Sequence, residues 1–375
     1  MQEVLVIAGE KSAEEHFVSM YGDIISSNSE IHFYGVGGNE MKSLGIDCIY
    51  DLSSFSSMGL TEPIKKLPYY FSAMNTLIEE TKKRRTKFAI LIDFQEFNLK
   101  MAQRLTENGI KVLYYVAPQA WAWRSGRCKK LAKYTYRLFT ILPFEKKWFS
   151  DRGVKQIVEC QHPVFKKFNE NIPDFEKMKM SREKDPVILF LPGSRNSEVK
   201  KLLPVYYKAL KKIKILLPHF KFSIVLSDSI TLPLEIEKIR EFNYVYSNAQ
   251  LDLALEQSSF CISASGTVNL NCAFYRVPTI VCYDANRLNY FVARELVGYK
   301  GFASLVNIIS EKEVFPELLQ DKCNATNLAT YVLNLVNSQN KSQETLADLE
   351  KLFLSFAKGE SKPGKIIREV IENES

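Results

Sequence analysis

Short apolar runs of β-strand type alternate with helical patterns along most of the chain. Eight runs carry this pattern, four in each half: VLVIAG, IHFYGVGG, FAILIDF and KVLYYVAP, then VILFLPG, FSIVLSD, FCISASG and TIVCYD. Strands that alternate with helices form parallel sheets whose two faces are covered by the helices. The pattern therefore predicts an α/β fold with about four strands in each half.

The length of the chain favours two domains, because 375 residues exceed what one hydrophobic core usually organises. A polar, proline-bounded segment, 169–186, has the composition of a linker between an N-terminal domain at 1–168 and a C-terminal domain at 187–358. We expect two doubly wound, Rossmann-like domains that face each other across a cleft. A last helix at about 360–375 is able to pack back on the N-terminal domain.

Composition excludes several classes of protein. Hydrophobic residues make up 46% and charged residues 25%, as in ordinary globular enzymes. The seven cysteines contain no C-x-x-C pair, which disfavours a disulfide framework and a zinc site. No apolar run approaches the roughly 18 residues that span a bilayer, and the first residues lack the features of a signal peptide. We therefore expect a cytoplasmic location.

The net charge of +7 is concentrated in patches at 82–87 and 124–137. Such patches suit an anionic partner, whether phosphate, nucleic acid or a membrane surface, and a solvated helix face is the simpler alternative. All three tryptophans lie in 112–149, beside the second patch. Indole prefers the boundary between water and hydrocarbon, so the segment suits a lipid-handling rim, with 63–71 as a second candidate. Core residues that hold a loop remain the structural alternative.

Two strand-turn-helix patterns in the second half suit phosphate binding. In the first, Gly193, Ser194 and Arg195 stand between an apolar strand and an amphipathic helix. Glycine permits a close approach of the backbone, the helix N-terminus offers free N–H groups, and arginine supplies a forked cation. A second turn contains 265–267. Two such turns favour a nucleoside diphosphate, although each alone is also explained as a plain turn.

Carboxylates follow strands in the first half. Asp93 ends an apolar strand and Glu96 comes just after it. Partial burial there would raise the pKa of an aspartate toward that of a general base, and capping of the next helix is the alternative role. The loop after the first strand brings Glu10, Ser12 and His16 to the same region of the predicted sheet.

Eight motifs appear in a recognisable order: GVGGNEMKSLGI, SSMGLTE, LIDFQEFN, YYVAPQAWAWRSGR, LPFEKKWF, LPGSRNSEVKKLLP, ASGTVNL and SLVNIIS. Together they resemble the lipid-A-disaccharide synthase family, bacterial glycosyltransferases of the GT-B fold. The resemblance implies transfer of 2,3-diacylglucosamine from its UDP ester to 2,3-diacylglucosamine 1-phosphate. The products are a β-1,6-linked disaccharide and UDP, formed with inversion, with no cofactor and no metal. It also implies peripheral association with the anionic inner face of the cytoplasmic membrane.

The same resemblance assigns residues to roles. The catalytic residues are Asp93 and Arg195. The UDP-binding set is Gly193, Ser194, Arg195, Ser265, Gly266, Thr267, Asn271, Asn307 and Gln320. The acceptor and lipid-side set is Glu10, Ser12, His16, Asn98, Met58, Trp121, Trp123, Arg124 and Arg127.

Several positions depart from the family pattern. Ala13 and Glu14 replace a glycine and an aspartate, while Gln161 and Val306 also differ. Asn271 stands where the family has a glutamate that receives the nucleotide ribose, so weaker donor binding or an altered donor is the hypothesis that follows.

Four alternatives remain. These are another GT-B transferase with a lipid-linked acceptor, a sugar-nucleotide epimerase, a homologue that binds UDP or lipid without catalysis, and a nucleic-acid-binding protein. The modest charge excess and the lack of a recognised module argue against nucleic acid. The sequence also allows a homodimer.

Overall fold

The computed structural model describes residues 2–25, 30–55, 67–228, 230–231, 236–284 and 301–373. The chain divides into two units. The first comprises Met1–Pro163 together with Lys358–Ser375, and the second comprises Val164–Ala357. Each unit contains one parallel β-sheet with helices around it.

The first unit contains a seven-stranded sheet in the order β3-β2-β1-β4-β5-β6-β7. Its strands are β1 (Gln2–Ala8), β2 (Ile31–Gly37), β3 (Asp47–Asp51), β4 (Phe88–Ile92), β5 (Lys111–Tyr115), β6 (Arg137–Thr140) and β7 (Ile157–Glu159). Its helices are α1 (Lys11–Ile24), α2 (Asn39–Ser43), α3 (Leu52–Phe55), α4 (Leu67–Lys83), α5 (Gln95–Glu107), α6 (Ala120–Trp123), α7 (Arg127–Tyr134) and α8 (Glu145–Ser150). The strand order reverses between β1 and β4, which defines the switch point of the sheet.

The second unit contains a six-stranded sheet in the order β10-β9-β8-β11-β12-β13. Its strands are β8 (Val187–Leu191), β9 (Lys221–Leu226), β10 (Tyr244–Ser247), β11 (Phe260–Ala264), β12 (Thr279–Tyr283) and β13 (Glu317–Leu319). Its helices are α9 (Pro163–Glu170), α10 (Phe175–Lys184), α11 (Asn196–Leu216), α12 (Ile236–Ile239), α13 (Leu251–Gln257), α14 (Val268–Phe274), α15 (Leu305–Ser310), α16 (Ala325–Asn337) and α17 (Gln339–Phe356). Here the order reverses between β8 and β11.

Burial explains why the central strands are continuous apolar runs. Every residue of β4 and β8 is buried, because helices cover both faces of each sheet. In the second unit α11 packs on the sheet through residues spaced three or four apart, and its Leu203, Tyr206 and Leu210 are all buried. Each sheet therefore has its own hydrophobic core.

The structure has more strands than the sequence pattern predicts, seven and six rather than about four in each half. The four outermost strands, β3, β7, β10 and β13, are all absent from the predicted set. Each is only three to five residues long and mostly half-exposed, so none carries a continuous apolar run. β6 is also short, at four residues.

Two segments outside the predicted domains are helical. Residues 169–186, expected as a linker, contain α10, whose Arg182 donates hydrogen bonds to the carbonyls of Leu255 and Tyr275 in the second unit. The last helix, α18 (Pro363–Asn373), packs against α1 of the first unit. Gly364 permits this packing, since a Cβ atom there would lie 2.7 Å from the Met20 carbonyl oxygen.

Candidate active site

The switch point of the first sheet brings two loops together. β1 and β4 pair in parallel with Ala8 opposite Ile92, so the residues that follow them leave the sheet at the same edge. After β1 comes Gly9, and a Cβ atom there would lie 2.5 Å from the Phe94 ring. Glycine is therefore required for the two loops to approach each other.

Asp93 lies directly after β4, with its backbone in the left-handed region at φ 46°. Its N–H donates to the Tyr115 carbonyl at 3.0 Å, and its carbonyl accepts from the Tyr114 hydroxyl at 2.9 Å. The fully buried Asn98 donates its amide to the carbonyls of Asp93, at 2.9 Å, and Ile92. These bonds hold a conformation that non-glycine residues rarely adopt. Asn98, expected on the acceptor side, thus supports the Asp93 backbone.

The surroundings of the Asp93 carboxyl favour its protonated form. Burial, and then the negative charge of Glu10, raise its pKa to about 6, while a hydrogen bond from the backbone of Phe94 acts in the opposite direction. At neutral pH the group is ionised, yet it is a stronger base than an ordinary aspartate. This is the property expected of a general base.

A cavity of about 400 Å³ opens beside this carboxyl. Most of its accessible wall is apolar, and the polar side chains among the lining residues include the Asp93 carboxyl. The lining residues are Glu10, Leu67, Tyr70, Phe71, Met74, Asp93, Phe94, Gln95, Glu96, Phe97 and Lys100. A largely apolar cavity with a small number of polar groups is typical of a small-molecule site.

The predicted acceptor-side residues have different environments. Glu10 lines the cavity, and Ser12 is exposed in the first turn of α1. His16, also on α1, packs edge-on against the Tyr115 ring at 5.8 Å, and burial lowers its pKa to about 4. It is therefore neutral at pH 7. Met58 and the side chain of Trp123 lie outside the described residues.

The segment rich in tryptophan and arginine is tied to the same region. Trp121 is half-buried and donates its indole N–H to Glu145 at 3.0 Å. Arg124 and Arg127 both bind the carboxylate of Glu96, and Arg127 also donates to the side-chain oxygen of Gln95 at 2.7 Å. Residues 95 and 96 line the cavity, so these arginines contact two of its lining side chains.

In the second unit, the loops that follow β8 and β11 also meet at one edge, because Leu191 pairs with Ser263. Gly193 has φ 104°, and a Cβ atom there would clash with the Glu198 carboxylate. The Arg195 side chain is 75% exposed, and its guanidinium donates to Glu198 at 2.9 Å. The loop therefore presents a cation beside the N-terminus of α11.

Asn269 shapes the second loop, although sequence reasoning did not identify it. It is fully buried, donates to the Ser263 hydroxyl and the Ala264 carbonyl, and accepts from the Gly266 N–H. Gly266 and Thr267 are consequently exposed, while the Ser265 hydroxyl donates to the Ala303 carbonyl at 2.8 Å. The available signal in the sequence was the asparagine itself, which stands two residues after the Gly-Thr pair and so within reach of the backbone of that turn. Asn271 is half-buried in α14.

Asn307 belongs to a buried hydrogen-bond network. Its amide oxygen accepts from the N–H groups of Val314 and Phe315, and its amide nitrogen donates to Glu317 at 2.9 Å. Glu317, another residue that the sequence did not single out, also accepts from the Ala303 N–H. Through Ala303 the network reaches the Ser265 loop. Gln320 is half-buried, with φ 53°, and begins the short 3₁₀ helix Gln320–Lys322.

Two negative findings concern the described part of the chain. No helix there is both long enough and apolar enough to cross a membrane. Nor do its histidines, cysteines and carboxylates form a group of three or more that would hold a metal ion.

Similar folds occur in glycosyltransferases and epimerases of the GT-B architecture. The UDP co-structure of MnaA from S. aureus has a TM-score of 0.62 at 10% identity, and the match covers 100% of this chain and 97% of that one. The spinosyn rhamnosyltransferase SpnG, complexed with thymidine diphosphate, has a TM-score of 0.61 at 10% identity, covering 99% and 100%. With two parallel-sheet units, the chain has this GT-B fold.

The family follows from the sequence match. The model of the lipid-A-disaccharide synthetase family matches residues 4–369, and the chain belongs to this family. The lipid-A-disaccharide synthase of Syntrophus aciditrophicus is 31% identical over 355 residues, 93% of this chain and 92% of the relative. The lipid-A-disaccharide synthase of Coxiella burnetii (strain RSA 331) is 31% identical over 359 residues, 93% of each chain. The chain is thus an enzyme of the glycosyltransferase type.

Proposed function

We propose that this enzyme transfers 2,3-diacylglucosamine from UDP-2,3-diacylglucosamine to 2,3-diacylglucosamine 1-phosphate. The products are the β-1,6-linked disaccharide 1-phosphate and UDP. The observation that carries the proposal is the half-buried Asp93, whose carboxyl has a raised pKa and lies beside a largely apolar cavity. Membership of the family supports this choice of substrates.

In the proposed mechanism, Asp93 accepts the proton of the acceptor's 6-hydroxyl group. The hydroxyl oxygen attacks the anomeric carbon of the donor sugar as the bond to the UDP oxygen breaks. UDP leaves with the electron pair of that bond. Because attack and departure occur on opposite faces of the sugar, one displacement inverts the configuration at the anomeric carbon.

The second unit binds UDP in this proposal. The loop at 193–195 and the N-terminus of α11 hold the diphosphate, and Arg195 exchanges its contact with Glu198 for phosphate oxygens. A cation and N–H donors at this position stabilise the negative charge that develops on the leaving diphosphate. The exposed Gly266 and Thr267 contribute further donors. The bound UDP of the MnaA neighbour is consistent with a nucleotide site in this fold.

The apolar cavity suits a lipid substrate. Tyr70, Met74 and Phe97 supply an apolar wall that acyl chains can cover. At its rim, Phe71 is 52% exposed and lies 5.3 Å from the ammonium group of Lys100. Aromatic and cationic side chains together favour the interface of an anionic membrane, which supports a peripheral association of this surface.

The decisive experiment compares Asp93→Asn with the wild-type enzyme in detergent. Disaccharide is followed by mass spectrometry, released UDP by a coupled assay and UDP affinity by calorimetry. We expect turnover to fall by about 10³-fold or more, since the base is lost, while UDP affinity stays within about twofold because Asp93 is not a nucleotide ligand. The control is Asp151→Asn, which removes a surface carboxylate that pairs with Lys147.

Three outcomes contradict parts of the proposal. Turnover retained by Asp93→Asn would remove Asp93 as the base and make Glu96 the next candidate. A wild-type enzyme that binds UDP without forming disaccharide would mean that the donor or acceptor differs, or that catalysis has been lost. A gain of UDP affinity in an Asn271→Glu variant would then support the hypothesis that the asparagine weakens donor binding. Product formed without acceptor would indicate an epimerase.

A further inference from the structure

Glu145 is a buried carboxylate that the mechanism above does not use. It is the first residue of α8, close to the carboxyl end of β6, and only 1% of it is exposed. Burial raises the pKa of Glu145 to about 7, whereas hydrogen bonds from Leu142, Trp121 and Ile141 favour its ionised form and act in the opposite direction. No cation of the described residues forms an ion pair with it. A buried carboxylate without a cation is costly, so its neighbours must provide strong hydrogen bonds.

Its hydrogen bonds come from two parts of the chain. Oε2 accepts from the N–H groups of Ile141 and Leu142, each at 3.1 Å, which closes the turn between β6 and α8. Oε1 accepts from the Trp121 indole N–H at 3.0 Å, and the Trp121 ring packs edge-on against Phe144. One carboxylate therefore joins that turn to α6.

This geometry demands an acceptor at both oxygens. A glutamine would offer one acceptor oxygen and an NH₂ group, and the NH₂ group would face either the indole N–H or the two backbone N–H groups. Donors that face donors lose a hydrogen bond and leave a buried polar group unpaired. The carboxylate of Glu145 is thus specifically suited to hold Trp121.

The segment held by Trp121 leads directly to the arginines of the site. The Arg124 N–H donates to the Ala120 carbonyl at 3.2 Å, and the Arg127 N–H donates to the Arg124 carbonyl at 3.0 Å. These two arginines bind Glu96, and Arg127 also binds Gln95. The hydrogen bond between Glu145 and Trp121 therefore restrains Arg124 and Arg127. These two arginines in turn restrain residues 95 and 96.

Residues 95 and 96 continue from a strained piece of backbone. Asp93 and Phe94 both have left-handed backbones, at φ 46° and 45°, and such conformations persist only where surrounding contacts hold them. A loosened 95–96 segment would allow Asp93 to leave the geometry needed for proton transfer. Small displacements of a base have large effects on rate.

We propose that Glu145 is a positioning residue for the reaction. Through the Trp121 indole it holds residues 119–127, and through Arg124 and Arg127 it fixes the 95–96 segment beside Asp93. The catalytic half of this inference rests on the function proposed above, whereas the structural half does not.

The test is hydrogen exchange measured by mass spectrometry on Glu145→Gln, with no substrate present. We expect exchange to become about tenfold faster or more in peptides that cover 119–128 and 93–98, as local opening becomes easier. Trp121→Phe removes the other end of the same bond and should give the same pattern. The controls are Glu159→Gln, which removes a carboxylate that pairs with Lys146 of α8, and Trp148→Phe on α8 itself.

Kinetics then distinguish positioning from mere stabilisation. We expect kcat of Glu145→Gln to fall about tenfold well below the melting temperature, with KM for the UDP donor unchanged. The double variant with Trp121→Phe should be no worse than Glu145→Gln alone, because Trp121→Phe removes a bond that Glu145→Gln has already weakened.

The inference would be overturned if hydrogen exchange at 93–98 in Glu145→Gln equalled that of the wild type. It would also be overturned if exchange became faster while kcat stayed unchanged. An equal effect in the controls would also overturn it. If Glu145→Gln fails to fold, Trp121→Phe carries the same test. If the wild-type enzyme has no transferase activity, the exchange result still decides the structural half.

Discussion

At the scale of single residues, the proposed chemistry depends on how neighbouring residues modify one aspartate. Gly9 permits Phe94 to approach the first-strand loop, and Asn98 holds the backbone of Asp93 in its left-handed conformation. Burial and Glu10 then raise the pKa of the Asp93 carboxyl to about 6. None of these neighbours need touch substrate atoms to matter for the rate.

The raised pKa predicts the pH dependence of the reaction. A general base must be ionised, so kcat/KM should fall as the pH is lowered through about 6. Glu10→Gln removes a negative charge near Asp93 and should move this acidic limb to lower pH, by about half a unit. The measurement is a pH profile of kcat/KM between pH 4.5 and 8.

Glu107→Gln serves as the control, because Glu107 is exposed at the other end of α5. If Glu10→Gln does not shift the acidic limb of the kcat/KM profile, the assignment of that limb to Asp93 is contradicted.

The contribution of Asp93 to the free energy of unfolding depends on pH in the opposite direction. The folded enzyme binds the Asp93 proton more tightly than the unfolded chain, whose pKa is near 3.8. The stabilising contribution of this proton is therefore present at low pH and is lost as the pH rises toward 6.

At the scale of elements, α10 shows how a polar segment becomes part of a unit. Its Arg182 is largely buried and donates hydrogen bonds to four carbonyls, those of Leu255, Glu256, Tyr275 and Arg276. The Ser259 hydroxyl in turn donates to the Arg182 carbonyl. A polar composition suggested a linker, yet these bonds attach the helix to α13 and to the end of α14.

Arg182→Met should therefore destabilise the second unit. Each of the four carbonyls would lose a donor, and we expect the free energy of unfolding to fall by about 3 kcal/mol. Urea denaturation followed by circular dichroism measures the change. Arg240→Met, at an exposed arginine of the same unit, is the matched control. Equal midpoints for the two variants would show that the Arg182 contacts contribute little.

At the scale of the whole molecule, the chain crosses from the first unit to the second and then returns. The residues after 357 complete the first unit, where Ile367 and Ile371 of α18 are fully buried. All three tryptophans belong to the first unit as well. Tryptophan fluorescence therefore reports the unfolding of one unit alone.

Ile367→Ala removes buried volume between α18 and α1, and we expect a loss of about 3 kcal/mol from the first unit. The urea midpoint seen by tryptophan fluorescence should shift to lower concentration, whereas Arg182→Met should leave that midpoint in place. Glu369→Ala, an exposed change on the same helix, is the control. A urea midpoint by fluorescence that is unchanged in Ile367→Ala but shifted in Arg182→Met would contradict this division of the chain.

The sequence by itself determined the features that local patterns encode. Continuous apolar runs predicted the central strands, because those strands are buried on both faces. The position of Asp93 after such a run and the glycine turn at 193–195 predicted one candidate loop in each unit, since the carboxyl ends of parallel strands meet at one edge of their sheet. Family motifs then supplied the chemistry, and the family match confirmed the resemblance.

Only the tertiary structure decided how distant residues pair. The bond between Trp121 and Glu145, the contacts of Arg124 and Arg127 with Glu96, and the return of α18 to α1 each join parts of the chain that are 24 or more residues apart. The outermost strands can likewise be identified only from their pairing with neighbouring strands, because their half-exposed residues form no continuous apolar run. Such pairings depend on which surfaces packing brings together, and no local periodicity records them.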